Sequence, residues 1–445
     1  GGGLHISGTA NTTIDGGSVF GNTAAREGGG LWNNSGTLTV QNGTLVSANG
    51  AFGPAADDGG GGIFNNGGTV VIDGSVTPVE ISDNFADGTA GSGGGIFNLG
   101  GVLTVSNAII SGNEANRAGG GIEVTADSTT TLSNVNLDDN TAGVVAAPGN
   151  GGGLHISGNG SVTLSAGTVN RNLAANEGGG LWNSGTGTLV VVGTELDGNS
   201  AVRGGGIFQL GGTGSSSITS ATINNNLATG DLATDGGGGI HGAGASVTLT
   251  GSTLSDNQAT GLSGSGGGIL SLDGTITLID SNLQFNSANR AGGAIEAVAG
   301  TLLLTNTNLI NNDVDGGAGV ANPGNGGGLH ISGTANTTID GGSVFGNTAA
   351  REGGGLWNNS GTLTVRNGTL VSANGAFGPA ADDGGGGIFN NGGTVIIDGS
   401  VVPVEISDNF ADGAAGSGGG IFNLGGVLTV SNAIISGNEA NRAGG

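Results

Sequence analysis

Residues 93–113 read Gly-Gly-Gly-Ile-Phe-Asn-Leu-Gly-Gly-Val-Leu-Thr-Val-Ser-Asn-Ala-Ile-Ile-Ser-Gly-Asn, and this stretch sets the reading of the whole 445-residue chain. A triple glycine leads into Ile96, apolar residues alternate at Leu103 and Val105, and Ile110 lies three residues before Asn113. Period-two alternation bounded by glycine and asparagine predicts short strands joined by turns. Three fit in the unit: at the aliphatic anchor, seven to ten residues on, and just before the asparagine.

The unit recurs along the chain. A glycine-rich run precedes an aliphatic anchor at Leu4, Leu31, Ile63, Ile96, Ile122, Leu154, Leu181, Ile207, Ile240, Ile269, Ile295, Leu329, Leu356, Ile388 and Ile421, at intervals of 26 to 34 residues. Each anchor is followed, 17 to 21 positions later, by an asparagine: Asn22, Asn49, Asn84, Asn113, Asn140, Asn172, Asn199, Asn226, Asn257, Asn286, Asn312, Asn347, Asn374, Asn409 and Asn438. Val, Ile or Leu stands three residues before every one of them. One coil of three short strands cannot bury its own apolar residues, so the coils must stack. The expectation is an all-β parallel β-helix, or β-solenoid, of about fifteen coils. At about 4.8 Å per coil it would extend roughly 70 Å.

The asparagine suits a sharp turn, because it tolerates left-handed backbone and its amide can bond the same amide in neighbouring coils. A structural asparagine ladder along one corner is therefore expected. The distance from asparagine to the next anchor runs from 8 to 17 residues, so insertions fall at one corner. Glycine ends that corner, where backbone must approach backbone or take positive φ.

A longer period lies above the coil. Residues 326–445 repeat residues 1–120 with four differences: Gln41 to Arg366, Val71 to Ile396, Thr77 to Val402 and Thr89 to Ala414. The chain reads as one continuous solenoid of three blocks, 1–150, 151–325 and 326–445, and as a fragment of a longer tandem array.

Glycine contributes 105 residues and proline six, a proportion that by itself suggests disorder; yet 35% of the chain is hydrophobic, so the glycine must be patterned. Collagen is excluded by the absence of a three-residue period. With no cysteine or lysine the chain has no disulfide, no thiol nucleophile and no lysine chemistry. A net charge of −25 argues against nucleic acid or anionic membrane as a partner, and no apolar run is long enough to insert in a bilayer.

Gly292-Gly293-Ala294-Ile295 matches the G-G-A-[ILV] motif of the chlamydial polymorphic outer-membrane protein repeat, and Ile110-Ser111-Gly112-Asn113 resembles its F-x-x-N partner. The chain departs from that pattern by using Gly-Gly-Gly and Val, Ile or Leu more often, so it is also similar to the broader group of large bacterial surface β-helix proteins. The resemblance implies a right-handed helix, secreted or displayed on a cell surface, serving adhesion or structure.

Three sets of residues are candidates for function. The position after each anchor forms a row: His5, Trp32, Phe64, Phe97, Glu123, His155, Trp182, Phe208, His241, Leu270, Glu296, His330, Trp357, Phe389 and Phe422. Alternation turns it outward from the anchor, as an aromatic stripe for glycans or self-assembly, unless the corner loops fold over it as a satellite core. Within it Glu123 should neighbour His155, and Glu296 His330, as structural ion pairs more readily than as metal sites or acid/base couples, since the pairing recurs. Asp57, Asp58, Asp231, Asp235, Asp313 and Asp315 lie in the long corner loops as candidate Ca²⁺ ligands or solvated turn carboxylates. No cofactor is required by any motif. The expected function is a non-enzymatic stalk, fibre or filament segment of a giant extracellular surface protein, partnered by its own array. A carbohydrate-binding adhesin is the alternative, and a polysaccharide lyase or hydrolase the second.

Overall fold

The structure, a computed structural model, describes residues 1–143, 147–314 and 323–445. No helix occurs among these residues. The chain forms two compact units, Gly1–Ala221 and Thr222–Gly445. Each of the fifteen anchors is the first residue of a strand.

In the first unit, the coil that opens at Leu31 runs through strands Leu31–Asn33, Thr37–Gln41, Leu45–Ser47 and Gly50–Ala51. Each strand pairs in parallel with its counterpart one coil on: Leu31 with Ile63, Leu38 with Val70, Val46 with Ile81 and Ala51 with Ala86. The second unit repeats the path at Leu356–Asn358, Thr362–Arg366, Leu370–Ser372 and Gly375–Ala376, with Leu356 opposite Ile388 and Val365 opposite Ile397. Both units are parallel β-solenoids. Alternation holds in the second strand of the coil, where Leu38, Val40, Val70 and Ile72 are buried between half-buried neighbours.

Ten of the fifteen coils have four strands rather than the three expected; in the other five, two strands run on as one, as in Val102–Ser111 and Ile240–Thr250. The additional strand, two residues long, follows the ladder asparagine and forms a ladder of its own through Ala24, Ala51, Ala86 and Ala115. Two residues are too few for a period to register. The signal lies instead in Asn-x-Ala after every ladder position, with Val314 the one exception.

The asparagine ladder is present in both units. In the first it links Asn22, Asn49, Asn84, Asn113, Asn140, Asn172 and Asn199, and in the second Asn226, Asn257, Asn286, Asn312, Asn347, Asn374, Asn409 and Asn438. Asn84 shows the pattern: its backbone N–H and its Nδ2 both donate to Asn113 Oδ1 at 3.0 Å, and Nδ2 also donates to the Val46 carbonyl at 2.9 Å. The ladder asparagine is not itself the left-handed residue expected at this turn. The left-handed residue is the one before each ladder asparagine, as at Ala48, Asp83, Asp139, Arg171 and Phe285, with φ between 52° and 57°. The asparagine is selected for its amide alone.

Packing explains the triple glycine. Gly93 takes φ of 65°. Gly94 has ordinary backbone but no room: a Cβ there would lie 2.3 Å from the Glu114 carbonyl oxygen and 2.5 Å from that of Gly120, both one coil on. Gly95 backs onto the Asn113 amide, with Cγ 3.0 Å from a built Cβ. These two requirements separate in experiment. Gly94→Ala, which forces backbone apart, should cost about 3 kcal/mol; Gly100→Ala, at φ of 68° with nothing within 4 Å, should cost about 1 kcal/mol. Urea unfolding of the two variants checks this, and equal costs would show that close coil approach is not what the glycine serves.

Candidate functional site

The row after the anchors is placed by the first strand of each coil. Leu181 and Asn183 share one face of Leu181–Asn183, and Trp182 points to the other. The expected outward stripe is nevertheless covered. From Gly59 onward in the first unit, the residue ahead of each glycine triple forms a single parallel bridge to a neighbouring coil, through Gly59, Ser92, Ala118, Asn150, Glu177 and Arg203. The first glycine then folds back on the row, so that a Cβ at Gly93 would lie 2.9 Å from Phe97 Cβ. Phe64, Phe97, Glu123, His155, Trp182 and Phe208 are buried in the first unit, and His241, Leu270, Glu296, His330, Trp357 and Phe389 in the second. His5 is exposed, and Trp32 and Phe422 are half-buried. The row is a satellite core, the second of the two arrangements expected for it.

Its rings stack on one another. His155 lies 4.3 Å from Trp182 at 18°, and Phe208 follows at 6.3 Å with parallel planes. His330, Trp357 and Phe389 repeat this at 4.2 and 6.3 Å. Both faces of each of these indoles meet other rings. The indole N–H is also engaged: Nε1 of Trp32, Trp182 and Trp357 donates to Glu27, Glu177 and Glu352 at 2.8–2.9 Å. Those three glutamates were not singled out from sequence, although Glu-Gly-Gly-Gly-Leu-Trp occurs at each of the three tryptophans. Burial pushes the Glu352 carboxyl up, against the indole bond and the charge of Arg351, which pull it down.

The two expected Glu–His neighbours are buried pairs. His155 Nδ1 lies 2.8 Å from Glu123 Oε2, and the Ser157 hydroxyl donates to Glu123 Oε1 at 3.0 Å. His330 Nδ1 lies 2.6 Å from Glu296 Oε2, with Arg290 3.8 Å from the second oxygen. Burial acts to raise the Glu296 pKa, but the charge and hydrogen bond of His330, with Arg290, outweigh it and hold the carboxyl below its ordinary range.

A second amide ladder lies two residues after the anchor. Asn33 donates to Asn65 and Asn65 to Asn98 at 3.0 and 2.8 Å; Asn183 donates to Gln209 at 2.6 Å; Asn358, Asn390 and Asn423 continue the pattern in the second unit. Its irregular occupancy hid it, since Val124, Ile156, Ala297 and Ile331 fill the position elsewhere.

The acidic loop residues are dispersed. Asp58 is buried, with Oδ1 accepting from Arg26 at 2.9 and 3.1 Å and Oδ2 from the Ala55 N–H. Asp235 accepts from Leu232 N–H, Asp231 from Leu262 N–H, and Asp313 from the Thr348 hydroxyl. Asp57 is exposed, and Asp315 lies outside the described residues. Among the described residues no group of three or more His, Asp or Glu is placed to hold a metal ion. Among them, too, no helix is long and apolar enough to cross a membrane. No protein-family model, curated protein or solved structure matches this chain.

Two outcomes are expected. Trp182→Ala should destabilise the chain by about 3–5 kcal/mol, as a core truncation does, whereas a ring on an open stripe would shift stability by about 0.5 kcal/mol. Glu296 contributes stability that is full above its unfolded pKa, about 4.3, and is lost as pH falls through the lower folded value. The melting temperature should therefore fall more steeply below about pH 4 in the unaltered chain than in Glu296→Gln. Parallel acid profiles would remove the pair from the account.

Proposed function

We propose that the chain is a non-enzymatic structural segment of a large repetitive extracellular surface protein, serving as stalk, fibre or filament for adhesion or surface architecture. The observation that carries this reading is the asparagine ladder, which recurs in every coil and commits the same corner of each to holding its neighbour. The near-identity of residues 1–120 and 326–445 supports an array in which length is the selected quantity. Repeated weak contacts along such an array add through avidity rather than through one strong site. The resemblance to surface repeat proteins supports display outside the cell.

Burial of the aromatic row weighs against the stripe as a sugar platform, because stacking on a saccharide needs a free ring face and Trp182 and Trp357 have theirs against other rings. Self-association and continuation of the same array remain the favoured partners.

Immuno-electron microscopy of native cells with antibody to this chain tests the reading. Labelled surface fibres, longer in strains that carry more copies of the 325-residue period, are the expected result. Label confined to the cell interior, or product release by the purified chain from a panel of anionic glycans, would overturn it.

A further inference from the structure

A cleft of about 660 Å³ opens in the first unit over the coils that follow His155. That volume suits a small ligand. Its walls mix apolar surface from Pro148, Leu210 and the edge of Trp182 with the polar side chains of Arg117, Asn150 and Thr186. Gly185 and Gly212 keep one wall bare: a Cβ at either would lie 2.2–2.3 Å from a backbone oxygen of the facing coil, so no side chain can fill the space.

The polar groups there have capacity that the fold does not use. Arg26, Arg171, Arg203, Arg290, Arg351 and Arg366 are each ion-paired. Arg117 has one hydrogen bond, to Ser92 Oγ at 3.2 Å, and no carboxylate within 4.0 Å among the described residues. Asn150 is buried within the wall and gives its Nδ2 to Glu177, while Thr186 is exposed at the rim. His155 spends Nδ1 on Glu123, which fixes the ring and leaves Nε2 as its remaining polar atom.

We propose that this cleft binds a carboxylated sugar, one uronic acid residue of a glycan. Arg117 would take the carboxylate, the exposed Thr186 hydroxyl at the rim would bond a sugar hydroxyl, and Leu210 and Pro148 would meet the C–H surface of the ring. A bare sulfate or phosphate would leave most of the volume and its apolar wall unused. The chain's net charge of −25 opposes long polyanions, so monomers and short oligomers are the fitting ligands. The proposal does not depend on the structural role above, and it differs from the stripe in using a single cleft.

Saturation-transfer NMR on the intact chain, titrated with sodium glucuronate and separately with glucose, tests it. Saturable glucuronate binding in about the millimolar range is expected, with glucose at least about tenfold weaker. Arg117→Ala should lower glucuronate affinity about tenfold or more without moving the melting temperature, and Thr186→Trp, which fills the cleft from its rim, should abolish it. Glucuronate binding that fails to appear, that glucose matches, or that survives both substitutions would overturn the proposal.

Discussion

The structure depends on the side-chain amide of one asparagine per coil. Asn113 is representative: its oxygen accepts from the backbone N–H and the amide of Asn84, and its Nδ2 protons go to Asn140 Oδ1 and to the Ile81 carbonyl. Every polar atom of the side chain is used in a corner that excludes water, and a buried polar group left without a partner costs about 1–3 kcal/mol. Such an arrangement holds in only one register. It obliges successive coils to superimpose at this corner, and with them the aliphatic residue three positions before and the alanine two positions after. Insertions are left to the segment between that alanine and the next anchor. The triple glycine is the other half of the constraint, because Gly94 has backbone oxygens of the next coil where a side chain would be.

Much of this was readable in the order of residues. The anchors, the ladder and the Glu123–His155 and Glu296–His330 neighbours follow from spacing, because a solenoid turns equal spacing into spatial contact. What escaped has physical reasons. A strand as short as Gly50–Ala51 has no period. The left-handed residue before each ladder asparagine is Ala, Asp, Arg, Phe, Asn or Gly, so its identity carries no signal, whereas the asparagine beside it is constant. The covering of the aromatic row depends on where a variable corner returns, which alternation in the first strand cannot report. Trp182 alternates correctly with Leu181 and is still buried.

The same covering changes what the row means. Rings that stack on each other and give their N–H groups to Glu27, Glu177 and Glu352 are a second core laid along the first. A buried polar pair penalises mismatched neighbours strongly, because either partner left alone is a buried group without its bond, so Glu123 and Glu296 suit the task of fixing which coils precede those of His155 and His330. In a chain of near-identical repeats, pairing with the wrong coil is the characteristic hazard of folding.

The central claim, that the ladder amides act as one cooperative column, is tested most directly by a double-mutant cycle on Asn84→Ala and Asn113→Ala. Each single change should destabilise the chain by about 2 kcal/mol or more. The double variant should lose less than the sum by at least about 1 kcal/mol, because the first substitution already strands the second residue's partner. Strictly additive losses would contradict the account.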